Sequence, residues 1–364
     1  MTALDTALTI DDLEQIALAA LEPSARDYYR SGSDDELTLA RNRSAWQALS
    51  FAYRVLVDVS QRSLATTVLG DPIASPILVA PTAFHKLATP DGELATVRAA
   101  GAAGTVMINS TLSNTRVEDV VAAATGPVWF QLYVYRDRAA TEALVARARD
   151  AGCRALVLTV DAPLLGTRER DKRNGFTLPA GLAIENMLAA GLAKLPAAAL
   201  ESGLQSYFAS AIDPTLTVDD IAWLASLSEL PVVVKGVVRG DDAVRILQAG
   251  AKAIVVSNHG GRQLDTSIPT AQALPQVVTA VRDQLGDTGE IYVDGGIRRG
   301  TDILKALALG ARAVMLGRPI LWGLAAGGQQ GATRALTMLR NELDLALALA
   351  GCSDVTAIPR DLVV

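Results

Sequence analysis

Eight short apolar runs, each followed by a segment that reads as an amphipathic helix, limit what this chain can fold into. They are ILVAPTA (Ile77 to Ala83), TVMINS (Thr105 to Ser110), VWFQLYV (Val128 to Val134), ALVLTVD (Ala155 to Asp161), PVVVKGV (Pro231 to Val237), AIVVSN (Ala253 to Asn258), IYVDGG (Ile291 to Gly296) and AVMLGRP (Ala313 to Pro319). All are too short and too β-branched for helices, and read as strands buried on both faces. The clearest helical partners, Asp91 to Gly104, Asp241 to Gly250 and Arg299 to Gly310, end on the glycine that a left-handed C-cap prefers. Eight such βα units predict an α/β protein with a (β/α)8 TIM-barrel fold. An open, doubly wound sheet is the second choice, and it lacks a GxGxxG after the first strand.

The rest of the chain is arranged around that repeat, within one domain over residues 1–364. Residues 9–50 read as helices that break at Gly32, with Thr9 before the acids Asp11, Asp12 and Glu14 as a capped first turn. Ala65 to Ile73 reads as an isolated hairpin. The interval from Asp161 to Pro231 is far longer than a helix and two turns need, so residues 175–215 are expected to form an inserted loop or lid. A membrane-docking loop is the alternative reading of its Ala/Leu-rich part, Gly181 to Gly203, which lacks the basic cluster and aromatic residues such a loop uses.

The net charge of −6 argues against a general nucleic-acid or anionic-membrane binder, so any anion is recognised locally. Cys153 and Cys352 fit no metal or redox spacing, and no metal is expected. The N-terminal residues carry acids where a secretory signal carries bases. The expected location is cytoplasmic.

In a barrel of this kind the site forms where the strands end, and here those ends are polar. Gln131 and Tyr133 close the third strand, Thr159 and Asp161 the fourth, Ser257, Asn258 and His259 the sixth, and Asp294, Gly295 and Gly296 the seventh; Lys235 lies in the fifth. DGGIR and GRP, with Arg298, Gly317 and Arg318, close strands seven and eight, where barrels commonly hold a phosphate on glycine amides. The arginines add charge-assisted contacts. Lys235 would be costly to bury without an anion, and is read either as a stabiliser of negative charge or as a Schiff-base amine. His259, in SNHGGRQLD, is the proton acceptor or donor, and Asp161 would stabilise its imidazolium. Arg168 and Arg262 bring two guanidinium groups suited to a carboxylate, with Tyr28 and Tyr133 as hydroxyl donors. His85 is read as structural.

SNHGGRQLD, DGGIRRGTD and LGRP, together with the DYYRSGSDDE and GLAAGGQQG segments, give the chain a resemblance that spans nearly its whole length. It resembles the FMN-dependent α-hydroxy-acid oxidases and dehydrogenases, the glycolate oxidase, lactate oxidase and mandelate-type enzymes. The resemblance implies a homotetramer that binds FMN and oxidises an (S)-2-hydroxy acid to the 2-oxo acid, with O2 reoxidising the flavin to give H2O2. It implies that His259 takes the hydroxyl or α-proton, that Asp161 supports the resulting charge, and that Arg168, Arg262, Tyr28 and Tyr133 hold the substrate. Pro81, Thr82, Ala83, Ser110, Gln131, Thr159 and Ser257 would contact the isoalloxazine ring. Lys235 would face its N1 and C2 carbonyl, and Asp294, Gly295, Gly296, Arg298, Gly317 and Arg318 would hold the ribityl chain and phosphate. Leu112 stands where plant-type glycolate oxidases carry a tryptophan, so the substrate is expected to be larger than glycolate: lactate, a medium-chain hydroxy acid or a mandelate. Ala83, in place of a glycine found in some dehydrogenases, favours oxygen as acceptor; a dehydrogenase using a quinone or another carrier is the alternative. A Schiff-base lyase or aldolase using Lys235 is the distant one.

Overall fold

The computed structural model describes residues 2–189 and 204–364. All eight apolar runs are strands of one closed, parallel barrel, preceded by a two-stranded antiparallel hairpin made of β1 (Thr66–Val68) and β2 (Asp71–Ile73). The barrel strands are β3 (Ile77–Val79), β4 (Met107–Ser110), β5 (Val128–Leu132), β6 (Leu156–Thr159), β7 (Val232–Val237), β8 (Ala253–Val256), β9 (Glu290–Val293) and β10 (Ala313–Leu316), with β10 closing onto β3. Most strands stop earlier than the apolar runs that contain them, so the polar residues ending those runs lie on loops at the mouth. That is where a barrel leaves backbone free to present side chains.

Alternation along the strands divides the core into two layers. Leu78, Ile108, Trp129, Val157, Val233, Val255, Tyr292 and Met315 pack together inside the barrel, while Val79, Met107, Phe130, Leu158 and Val234 face the surrounding helices. Val68 and Ile73 of the hairpin join the inner layer, and the Leu69 N–H donates to Glu290 Oε1 at the start of β9 (3.0 Å). The hairpin thereby plugs the end of the barrel opposite the mouth.

The helical partners cover Gly92–Ala102, Gly240–Gln248 and Gly300–Ala308. The glycines that follow them, Gly104, Gly250 and Gly310, all have positive φ, as the C-cap reading requires. The N-terminal region forms helices at Ala3–Thr6, Ile10–Ala20, Pro23–Arg30 and Leu37–Ala48, with Thr9 and Asp12 forming a capping box. The segment between the last two crosses the mouth. Ser33 N–H donates to the Gly261 carbonyl and Asp34 N–H to the Thr167 carbonyl, both at 2.9 Å, which ties together the loops after β6 and β8.

The long insertion is more than a loop in its described parts. It contains helices at Glu185–Ala189 and Leu204–Ala211, and a short helix at Glu169–Arg173 leads into it. The first flank is pinned through Asn186, whose amide donates to the Ser110 carbonyl (3.2 Å) and accepts from the Val117 N–H (2.8 Å). Residues 190–203 of the expected lid lie outside the described residues. Among the described residues, no helix is long and apolar enough to cross a membrane.

Candidate active site

The strand ends converge on one cavity, with an empty volume of about 1060 Å³ including its mouth. Its wall includes all but two of the site residues expected from sequence. Pro81, Thr82 and Ala83 come from the loop after β3, Ser110 and Gln131 from β4 and β5, and Tyr133, Thr159 and Arg168 from the end of β5 onward. Lys235, His259 and Arg262 follow, then Asp294, Gly295, Gly296 and Arg298, and finally Gly317 and Arg318, with Tyr28 entering from the N-terminal helices. Asp161 and Ser257 are the exceptions: they sit behind the wall and support residues that line it. Ser257, expected against the isoalloxazine ring, stands directly behind Lys235 and His259, with its own hydroxyl proton left to donate. Its Oγ is taken by the Lys235 ammonium (3.0 Å) and by the backbone N–H of His259 (3.1 Å).

His259 is held from three directions. Its Nδ1 lies 2.7 Å from Asp161 Oδ1, its backbone N–H is on Ser257, and its backbone has φ 58°, a left-handed conformation uncommon for any residue with a side chain. An ionised carboxylate only accepts, so Nδ1 carries the proton and Nε2 is the acceptor in the neutral ring. Burial lowers the His259 pKa, with Lys235 and Arg168 adding to the effect against the attraction of Asp161. At neutral pH the imidazole is a free base. Burial alone would raise the pKa of Asp161, but His259 and Lys235 outweigh it and keep the carboxyl ionised.

Asp161 needs room, which Gly236 provides. A Cβ there would stand 2.6 Å from Asp161 Cβ, and the β7–β8 register slips between Lys235 and Val237 at this point. Neither feature was visible in PVVVKGV.

Lys235 is buried, with Nζ 3.2 Å from Asp294 Oδ2. Desolvation works against its charge, yet Asp294 and Asp161 together overcome it and raise its pKa. A lysine held as the ammonium cannot attack a carbonyl, which removes the Schiff-base role and leaves charge stabilisation.

Ser110 Oγ donates to Gln131 Oε1 and Gln131 Nε2 donates to Thr159 Oγ1, both at 3.1 Å. The strands pair Ser110 with Gln131 and Thr159 with Lys235, so these polar ends form a continuous strip on the mouth.

Two pairs of arginines border the strip, Arg168 buried and Arg262, Arg298 and Arg318 half-buried. Arg168 and Arg262 repel each other, and burial first, then Arg262, lowers the Arg168 pKa to about 10. Its Nε is buried, with no hydrogen-bond partner among the described residues. Arg298 and Arg318 form the second pair; burial lowers both, each is depressed further by neighbouring arginines, and Arg298 Nε also has no hydrogen-bond partner among the described residues. Guanidinium groups do not shed their protons in proteins, so two such pairs call for two anions.

Sequence reasoning missed what holds these arginines. The Ser31 carbonyl accepts from Arg262 Nη1 and Arg318 Nη2, both at 2.8 Å; Arg262 also reaches the Tyr28 carbonyl (2.8 Å), and Arg318 the carbonyls of Tyr29 and Gly260 (both 2.9 Å). The carbonyls of Tyr28, Tyr29 and Ser31 end the helix Pro23–Arg30, where cations are favoured. Also missed were the apolar wall residues Leu165 and Phe208, the latter reaching in from the insertion to pack edge-on against Tyr133 at 5.2 Å. Leu112 lies on the same cavity. His85 is buried and bonded to threonines, as a structural residue should be.

FMN fits this donor set. Its dianionic phosphate matches the Arg298–Arg318 pair and the adjacent glycines, where a Cβ on Gly296 would lie 2.2 Å from the Asn42 carbonyl oxygen. The polar strip suits the edge of a heterocycle. Among the described residues, no group of three or more His, Cys, Asp or Glu could hold a metal.

Comparison with known proteins agrees with this geometry. The family described as FMN-dependent dehydrogenase matches residues 17–364. The chain is 52% identical to an L-lactate oxidase of Nostoc sp., over 98% of each chain. It is 48% identical to glycolate oxidase 1 of Zea mays, over 96% of this chain and 93% of that one. A crystal structure of mandelate oxidase superposes with a TM-score of 0.89 at 41% identity, covering 98% of both chains.

Proposed function

The chain belongs to the FMN-dependent dehydrogenase family, and from that premise we propose that it oxidises (S)-2-hydroxy acids to 2-oxo acids, passing the electrons to O2 to give H2O2. The observation that carries the reading is the His259–Asp161 pair, with its basic nitrogen on a cavity bordered by two arginine pairs. FMN, bound in this cavity, supplies the two-electron acceptor. Arg298 and Arg318, with Asp294, Gly295, Gly296 and Gly317, hold its phosphate and ribityl chain; Pro81, Thr82, Ala83, Ser110, Gln131 and Thr159 contact its ring.

The remaining chemistry belongs to the side chains. Arg168 and Arg262 clamp the substrate carboxylate, and Tyr28 and Tyr133 orient carboxylate and hydroxyl. Burial raises the Tyr28 pKa, so its hydroxyl stays protonated and able to donate. His259 Nε2 takes the substrate proton, and the Asp161 carboxylate 2.7 Å from Nδ1 stabilises the imidazolium that results. The Lys235 ammonium places a fixed positive charge beside the ring-binding strip, where negative charge develops.

Leu112, Leu165 and Phe208 give the cavity an apolar wall that a glycolate, with no side chain, would leave bare. The proposed substrates are therefore lactate, medium-chain hydroxy acids and mandelates. The test is anaerobic bleaching of the yellow holoenzyme by a panel of these acids with glycolate included, followed by mixing with O2. Rapid recovery of the yellow form supports the oxidase. Highest kcat/KM on glycolate contradicts the size reading, and slow recovery with fast reaction toward quinones makes the protein a dehydrogenase.

The proposed assembly is a homotetramer, in a reducing cytoplasmic setting that suits two free, buried cysteines. Tyr53, Val55, Leu56 and Val57 are exposed together, an apolar stretch that a subunit contact would cover. Light scattering on the purified protein decides: a monomer at micromolar concentration contradicts the assembly.

A further inference from the structure

The second histidine reaches the same cavity through one hydroxyl. His85 is buried and does not line the cavity, but its Nε2 lies 2.6 Å from Oγ1 of Thr82, which does. On the other side of the ring, Nδ1 lies 2.8 Å from Thr96 Oγ1 in the helix Gly92–Ala102. The His85 backbone N–H donates to Glu93 Oε1 (3.1 Å), and the same carboxylate accepts from the Asn114 N–H (3.0 Å) and the Thr115 hydroxyl (2.8 Å). The loop is pinned, and the ring with it.

Counting protons then fixes the direction of each bond. Thr96 Oγ1 donates to the Gly92 carbonyl (3.3 Å), so toward His85 it accepts, and Nδ1 carries the ring proton. Burial lowers the His85 pKa and keeps the ring neutral, against the opposing pull of Glu93. Nε2 is then an acceptor, and the proton it accepts is the only one that the Thr82 hydroxyl has.

We propose that His85 is a positioning residue for the flavin site: by engaging the Thr82 proton, it makes the Thr82 oxygen a fixed hydrogen-bond acceptor toward the isoalloxazine ring. The proposal rests on the reading above, in which FMN occupies the cavity and Thr82 contacts its ring. Two-electron reduction adds an N–H donor to that ring, so an acceptor that cannot rotate into a donor favours the reduced cofactor. His85 touches neither substrate nor cofactor.

The experiment measures the midpoint potential of bound FMN by dye equilibration in holoenzymes of the wild type, His85→Ala, His85→Gln, Thr82→Val and the double variant His85→Ala/Thr82→Val. His85→Ala and Thr82→Val are each expected to lower the reduced-to-oxidised equilibrium about tenfold, equivalent to about 30 mV for a two-electron couple. The double variant should fall no further than either single one. His85→Gln, whose amide oxygen can stand where Nε2 stands, should keep the wild-type potential. Thr96→Val leaves His85 in place: with no oxygen to receive Nδ1–H, the ring proton moves to Nε2, and the potential should fall as in His85→Ala. This variant decides the matter should the alanine variant not fold. A shift in Thr82→Val with none in His85→Ala or Thr96→Val, or additive shifts in the double variant, overturns the role of His85 and leaves the flavin reading standing. No shift in Thr82→Val overturns the Thr82 contact and with it the role of His85, while FMN binding stands; a protein that binds no FMN overturns the flavin reading and the proposal together.

Discussion

The loops after β3 and β8 each carry one of the two histidines in the chain, beside the same cavity, and what surrounds each ring decides what it can do. The His85 ring is buried and the His259 ring half-buried at the cavity mouth, and desolvation lowers both pKa values. At His259 a carboxylate meets the ring itself, so a proton gained at Nε2 is stabilised through Nδ1. At His85 the ring meets two threonine hydroxyls, and the nearby carboxylate of Glu93 is engaged by the backbone N–H instead. An imidazolium there would have no anion on its ring. The first arrangement suits a base that is protonated and restored in each cycle; the second suits a rigid donor–acceptor spacer. The backbone follows the same division: His259 sits in a strained left-handed conformation, and His85 in a short 3-10 turn.

The comparison breaks most sharply at His259. His259→Gln should retain FMN and lower kcat/KM for L-lactate by about 10² to 10⁴, the range for losing a positioned general base. Asp161→Asn should cost somewhat less, about a hundredfold, and it carries a pH signature. The wild-type kcat/KM falls as pH drops through the depressed pKa of His259, below its ordinary value of 6.5, because protonation removes the base. Asp161 is the group that pulls this pKa upward, so its loss should move the acid limb to lower pH. A limb that stays in place shows that the carboxylate does not act on His259.

Arg262→Lys should raise KM about tenfold with a smaller change in kcat, because an ammonium cannot reproduce a guanidinium contact to a carboxylate; initial rates over a lactate series check this. Leu112→Trp should shift the glycolate-to-mandelate ratio of kcat/KM about tenfold toward glycolate, the scale on which one apolar wall discriminates. At the other end of the comparison, His85→Gln should leave kcat/KM within about twofold of wild type. A hundredfold loss there would mean that the second histidine also handles protons.

The sequence made the barrel legible because β-branched runs with glycine-terminated helices between them have few other solutions, and the mouth was legible because polar residues ended so many of those runs. What stayed hidden depended on contacts between distant parts of the chain. Asp265, in the same motif as His259, caps the helix Leu37–Ala48 with its carboxylate, accepting from the N–H groups of Leu37 (3.2 Å) and Thr38 (2.7 Å). Ser257 is one residue past the end of β8, and only the fold shows that its hydroxyl oxygen accepts from both Lys235 and the His259 backbone. Phe208 carried no signal, since nothing in an Ala/Leu-rich insertion says which residue folds back on Tyr133. The arginine-binding carbonyls of Tyr28, Tyr29 and Ser31 are backbone groups, which no side-chain pattern reveals.

The central claim is that His259, supported by Asp161, removes the substrate proton in the step that delivers electrons to FMN. Stopped-flow mixing of anaerobic, FMN-loaded wild type and His259→Gln with saturating L-lactate tests it most directly, by timing the loss of flavin absorbance. The account predicts rapid bleaching in the wild type and bleaching slowed at least about a hundredfold in the variant. Equal bleaching rates in two fully loaded proteins would contradict it.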